Sequence, residues 1–293
     1  MASQTSDTIA ECLAQAQSDS PEAKNNALLT LSSLTKVSMQ NRNLLFQTHE
    51  AVPLLLTLSK SHTTQILSLS ILFNLSLNPN LKHPLANTHF IHHLHSILLS
   101  PGGSPQARKL AASLICSLAM LDKNKAQFGV AGTVEVIVEA LRGHAHESAI
   151  HYLVSSLAEL MQYHGNCTLA LRAGAVPLLL KNLEGPVEDL AASLTILALL
   201  ARYKEGIKAI QEVDGVGELL ADGLQKGCMA SRENAAEILV RLFEESQQGM
   251  KEAAKKHDLL SSVADLAIRG SAKAREKAGV LMRMMMEDDL DLS

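Results

Sequence analysis

Ala111-Ala112-Ser113-Leu114-Ile115-Cys116-Ser117-Leu118 returns further along the chain as Ala235-Ala236-Glu237-Ile238-Leu239-Val240-Arg241-Leu242. Weaker copies span 27–34, 68–75, 154–160, 191–198 and 277–284. Their last apolar positions are Leu34, Leu75, Leu118, Leu160, Ala198, Leu242 and Met284, in steps of 41, 43, 42, 38, 44 and 42. A second pattern keeps the same period. It is clearest in Ala51-Val52-Pro53-Leu54-Leu55 and Gly174-Ala175-Val176-Pro177-Leu178, and shorter versions are anchored on Ile91, Val134, Val216 and Leu260. Asn41, Asn80, Asn124 and Asn166 open the stretch between the two patterns, with Gly206 and Gly249 in that slot later. Three markers sharing one period identify a repeat protein.

Inside each unit the apolar residues recur every three or four positions, the spacing of a helix face. Pro53 and Pro177 suit a first helical turn, where the missing N–H costs nothing. Gly132, Gly174 and Gly215 suit the stop of the preceding short helix. Gly102-Gly103, Gly143, Gly185, Gly227 and Gly270 close the helix after it. Each unit thus reads as a short, a middle and a long helix. The long helices are predicted near 21–37, 62–77, 104–121, 147–163, 186–202, 230–244 and 272–286.

The composition agrees. Of 293 residues 51 are Leu, while aromatics are 3% with no Trp, which favours helix over sheet. A hydrophobic fraction of 47% is enough to build a core. A net charge of -4 gives no electrostatic reason to expect nucleic acid. The N-terminal stretch lacks the basic and apolar regions of a secretory signal, and the longest apolar run, Leu190–Ala201, is too short to span a bilayer. Cys12, Cys116, Cys167 and Cys228 lie far apart in Leu/Ala-rich contexts, as buried reduced thiols do. An intracellular protein, cytoplasmic and/or nuclear, with no membrane insertion is the expectation.

The period and the Gly-x-Val-Pro-x-Leu pattern resemble armadillo repeats over essentially the whole chain. The resemblance implies an all-α fold, a right-handed armadillo-type α-solenoid of about six to seven three-helix repeats. On this reading residues 1–293 form a single armadillo-repeat domain. Its repeats break near 20, 62, 104, 144, 186, 228 and 271, behind a capping helix in 1–19 and ahead of an acidic tail in 287–293. The stretches Arg269–Ala278, Glu233–Leu239 and Ala112–Asn124 resemble the armadillo region of plant U-box ubiquitin ligases. The U-box itself would lie upstream and is not seen, so recruitment of a conjugating enzyme is not expected.

Armadillo solenoids line a concave groove with their long third helices. The resemblance places Ser33, Asn74, Ser117, Glu159, Leu197, Arg241 and Arg283 there. One turn earlier come Leu29, Ser70, Ser113, Ser155, Ser193, Glu237 and Gly279, on the same face. Candidate partner-binding residues are therefore Ser70, Asn74, Ser113, Ser117, Ser155, Glu159, Ser193, Glu237 and Arg241. The row has two readings: a solvent-facing stripe of small and polar residues, or a Ser-lined peptide groove with charged ends. The second predicts that Glu159→Lys and Arg241→Glu weaken partner binding without changing helicity. Armadillo receptors of the nuclear-import type use repeated Trp and Asn to clamp basic peptides. Here only Asn74 corresponds, so that role is not expected.

Catalytic motifs are not legible. His92, His93 and His95 fall within one helical turn and point to different faces, while His146 and His151 are five apart, where a zinc-protease helix needs four. Gly215-Val216-Gly217 has Leu220 where a dinucleotide fingerprint needs glycine. No metal or other cofactor is implied. Met282, Met284, Met285 and Met286 suit either a cap on the last core or an adaptable contact surface. Two functions remain. One is a non-enzymatic interaction scaffold in intracellular signalling that binds a protein segment in the groove. The other is the substrate-recognition component of a ubiquitin ligation system, with a ubiquitin-pathway protein as partner.

Overall fold

The computed structural model describes residues 2–143, 147–184, 187–245 and 259–290, all in helices and their connections. Gly185, Gly249, His144, His146 and the end of the acidic tail lie outside the described residues. The described residues form two compact units, 1–160 and 161–293.

In the first unit α1 (Ala2–Ala16) precedes three complete repeats and the start of a fourth. The long helices are α2 (Pro21–Val37), α5 (Gln65–Ser76), α8 (Pro105–Ala119) and α11 (Glu147–Leu160). Short helices follow the first three: α3 (Met39–Gln47), α6 (Pro79–Leu85) and α9 (Asp122–Val130). Middle helices α4 (Ala51–Leu58), α7 (Thr88–Leu98) and α10 (Thr133–Arg142) complete those repeats. The long helices pack side by side in one layer, and each middle helix backs the long helix that follows it. Helix starts are set by local chemistry. Ser20 Oγ accepts from Ala23 N ahead of Pro21, and Asn87 Oδ1 accepts from Phe90 N at 2.9 Å.

The second unit repeats this plan. Its long helices are α14 (Val187–Leu200), α17 (Met229–Glu245) and α19 (Ala272–Leu290). Short helices α12 (His164–Arg172) and α15 (Lys204–Gln211) join middle helices α13 (Ala175–Lys181) and α16 (Val216–Lys226), and α18 (Leu259–Arg269) backs α19. The predicted long helices agree with the observed ones to within a few residues at each end.

Leucines fill the interior between the two layers. Leu28 and Leu31 of α2, Leu69, Leu72 and Leu75 of α5, and Leu114 and Leu118 of α8 are fully buried. Each contributes roughly 1.5–3 kcal/mol by leaving water. Their neighbours differ at the ends of the repeat series: Leu34 and Met284, the first and last of the periodic anchors, are only half-buried. Met282 and Met285 are half-buried as well, and Met286 is exposed.

The middle helices α4, α10, α13 and α16 begin at a left-handed residue, whereas α7 begins at Asn87 in an extended conformation (φ -74°). Gly132, Gly174 and Gly215 all have φ between 74° and 79°. In the first repeat the same slot holds Glu50 at φ 67°. A side chain in that region costs roughly 1 kcal/mol or more, which a glycine avoids.

Polar side chains bridge successive repeats at the sequence period. Asn74 Nδ2 donates to Ser32 O (3.2 Å) and Thr35 Oγ1 (3.1 Å), and Ser76 Oγ donates to Ser117 Oγ (2.9 Å). His95 Nε2 hydrogen-bonds Thr133 Oγ1 at 2.9 Å, and Gln225 Nε2 donates to Ser262 Oγ at 2.9 Å. Asn124 Nδ2 donates to Leu118 O (2.9 Å) and Lys82 O (3.2 Å), and Asn41 Nδ2 donates to Leu34 O (3.0 Å). Asn41 and Asn124 thus bond carbonyls in the last turn of a long helix, where partners within the helix run out. Asn80 does not take this part: it is exposed, and buried Asn78 instead bonds Asn43 Oδ1 at 2.6 Å.

His95 ties stability to pH. Burial, with a smaller push from His92, lowers its pKa to about 4. The unfolded chain takes up this proton near pH 6.5 and the folded chain only near 4. Stability from the neutral ring is therefore present above pH 6.5 and lost as pH falls toward 4. The loss is about 2–3 kcal/mol over that window. Urea midpoints at pH 7 and pH 5 measure it, and His95→Gln is expected to flatten the difference.

Candidate functional site

The expected groove residues all lie on the long helices, but they do not form one accessible row. Ser70 and Ser155 are partly exposed. Asn74, Ser113 and Ser117 are almost fully buried, and Ser193 is completely so. Each buried polar group needs a partner, and three have one within the fold. Asn74 is committed to α2. Ser113 Oγ donates to Lys109 O at 2.8 Å, and Ser117 accepts from Ser76 and from the Lys82 ammonium. Leu197, placed in the same row, is fully buried too, because α14 also buries Leu194, Ile196 and Leu200.

Ser193 Oγ is buried with no hydrogen-bond partner among the described residues. A buried hydroxyl without a partner costs about 1–3 kcal/mol. Ser193→Ala is therefore expected to raise stability by about 1 kcal/mol in a urea titration. A loss of stability instead would mean that the hydroxyl is satisfied.

Glu159 and Glu237 hold charge in place. Lys125 of α9 is only 3% exposed, and its ammonium sits 2.7 Å from Asp122 and 3.2 Å from Glu159. Lys82 of α6 bonds the Ser117 carbonyl and lies in the field of Glu159; burial pushes its pKa down and that carboxylate opposes the shift. In the second unit Glu237 lies 2.7 Å from Arg241 and 2.8 Å from Lys277. Burial alone raises its pKa, but hydrogen bonds from Lys277 and Arg241, and their charges, hold the carboxyl below its usual range. The expectation that Glu159→Lys leaves folding untouched is corrected by this geometry.

Between the long helices of the first unit lies a pocket of about 480 Å³. Its walls are Phe73 of α5, Pro105, Gln106, Lys109, Leu110 and Ser113 of α8, and Ser148 and Tyr152 of α11. No middle-helix residue lines it, so it opens on the outer face of the long-helix layer. Of these residues the sequence reading named only Ser113. The same-face rule applied one turn back from Ser113 reaches Lys109, and from Ser155 it approaches Tyr152. Phe73 and Tyr152 lie far apart in sequence, and only the packing of α5, α8 and α11 brings them together.

The histidine cluster disperses. His92 is exposed. His93 bonds Ser59 Oγ at 2.7 Å beside α4, and His95 is buried against α10. Among the described residues no three His, Cys, Asp or Glu side chains converge on a metal position. No described helix is long and apolar enough to cross a membrane. Burial raises the thiol pKa of Cys12, Cys116 and Cys167. Cys228 departs from the buried expectation: it is exposed, and its pKa is lowered by hydrogen bonds from Ser231.

Solved structures place this arrangement. A designed armadillo repeat protein in complex with the peptide (KR)4 superposes with a TM-score of 0.68 at 19% identity, over 79% of this chain and 98% of that one. The chain has the armadillo fold. An engineered protein gives a TM-score of 0.76 at 19% identity, over 95% of this chain and 68% of its own. The sequence relatives are plant U-box domain-containing proteins. U-box domain-containing protein 8 of Arabidopsis thaliana is 30% identical over 162 residues, which is 55% of this armadillo chain and 41% of the relative. U-box domain-containing protein 1 of Medicago truncatula is 32% identical over 121 residues, covering 39% of this chain and 17% of the relative. The match thus spans well under half the length of these relatives. No family model matches the chain.

Proposed function

We propose that this chain is a non-enzymatic protein-binding scaffold that holds a segment of a partner on the outer face of its long helices. The observation that carries the reading is the pocket of Phe73, Leu110 and Tyr152, walled by three long helices and no other element. In the first unit Ser70, Ser155 and Glu159 are the partly accessible candidates on the long helices; in the second unit Glu237 and Arg241 are the partly accessible ones on its own long helices. In the first unit the buried Asn74, Ser113 and Ser117 lie beneath the exposed positions of these helices. The (KR)4 complex of a designed armadillo protein supports peptide binding on this fold. Free cysteines with raised pKa values suit a reducing cytoplasmic or nuclear setting. Affinity purification from native tissue with lysine crosslinking tests the face. Crosslinks are expected at Lys109 of α8 and Lys277 of α19. Crosslinks concentrated at Lys181 of α13 and Lys226 of α16 would move the binding surface to the middle helices.

The plant U-box relatives favour a second reading, recognition of a substrate for ubiquitin ligation with the catalytic module on another chain or segment. A reconstituted assay with ubiquitin-activating and ubiquitin-conjugating enzymes separates the two. Ubiquitin chains formed by this chain alone would overturn the non-enzymatic reading. Ubiquitination of a bound partner only when a ligase is added supports the second.

A further inference from the structure

We propose that the pocket on α8 is an anchor site for an extended peptide that presents a large apolar side chain with a carboxylate one or two positions away. The proposal rests on the long-helix face being the partner-binding surface, and it names the chemistry that surface selects. The apolar part of the wall is Phe73, Pro105, Leu110 and Tyr152, and Gln106, Ser113 and Ser148 add polar groups at its edge. Phe73 and Tyr152 are partly exposed here, in a chain whose Phe90 and Phe128 are fully buried. Partly exposed aromatics facing each other across a hollow are what an anchoring side chain needs: contact area at low entropic cost.

Lys109 supplies the charge. It is the one ionic group in the pocket wall, it is exposed, and among the described residues no carboxylate pairs with it. Further along the face the Glu159 carboxylate is engaged by Lys125, and Lys82 is directed to Ser117. A peptide lying along α8 therefore meets an apolar hollow beside an exposed ammonium that no carboxylate pairs among the described residues. An acidic residue next to the anchor is complementary to it, and a basic one is repelled.

Selection of a phage-displayed library of random 12-residue peptides against the full chain tests this. Wild type is expected to enrich Leu, Phe or Tyr with Asp or Glu within two positions. Tyr152→Ala is expected to weaken the selected peptides at least tenfold. Lys109→Glu, reselected, is expected to replace the acidic residue by Lys or Arg. Circular dichroism confirms that both variants are folded. Ser155→Arg, one turn along α11, crowds the face beyond the pocket. Peptides blocked by Ser155→Arg but bound normally by the two pocket variants would overturn the pocket and leave the face standing. Peptides indifferent to all three variants, or no enrichment by wild type, would overturn both.

Discussion

Replacing Gly206 with alanine is expected to lower stability by about 3 kcal/mol or more, although alanine is the better helix former. Gly206 lies in the first turn of α15, where the chain turns back from the end of α14. A Cβ there would stand 2.0 Å from the Leu200 carbonyl oxygen and 2.7 Å from its carbon. The obstacle is backbone on both sides, so no side-chain rotation relieves it. The end of α14 and the start of α15 must separate, and buried Ile207 and Ile210 move with them. Gly279→Ala in α19 is the matched control: nothing lies within 4 Å of its Cβ position. There the helical preference of alanine acts unopposed, for a gain of roughly 0.5–1 kcal/mol. Urea titrations of the two variants should shift in opposite directions, and Gly206→Ala should melt roughly 6–12 °C lower. A neutral Gly206→Ala would show that α14 and α15 do not approach this closely.

Glu159→Lys is expected to cost about 3–5 kcal/mol, the range for a buried charge deprived of its partner. Lys125 is almost fully enclosed and has two carboxylates, but Asp122 is largely in water and screened. Glu159 is the more sheltered of the two, so its loss matters more. The substitution also adds an ammonium beside Lys125 and near Lys82. Glu159→Gln removes the charge without reversing it and should cost less, about 2 kcal/mol. Adding Lys125→Met to Glu159→Gln should restore most of the loss, because no buried ammonium then remains without its more sheltered carboxylate. Equilibrium unfolding of the single and double variants measures this. Equal losses in Glu159→Gln and the double variant would remove Lys125 from the account. Loss of partner binding in Glu159→Lys is thus interpretable only beside its unfolding curve.

The helices were legible in the sequence because a repeat writes the same instruction several times. The Ala-Ala-x-x-Leu-x-x-Leu copies place α8 and α17 almost residue by residue, and glycine at 132, 174 and 215 places the starts of the middle helices. The site was less legible, because facing a groove and being accessible in it are different properties. Sequence spacing puts Asn74, Ser117 and Ser193 in the expected row of their long helices, but all three are buried. Their exposure depends on how closely the neighbouring long helix approaches, which period alone does not carry. Asn80 shows the same limit: it holds the periodic slot yet is exposed, and the buried asparagine is Asn78, which bonds the Asn43 side chain. The pocket needed Phe73 and Tyr152 to meet across α8, a contact that no local pattern encodes.

Among the described residues, the polar bridges between successive repeats differ from seam to seam. The first uses Asn74 with Thr35, the second both Ser76 with Ser117 and His95 with Thr133, and one in the second unit Gln225 with Ser262. Each seam therefore works as a lock with its own key. A repeat excised or moved to another position would set a donor against a donor, or against nothing, on both of its new borders. The period makes the repeats look interchangeable, but their edges record the order in which they must stand.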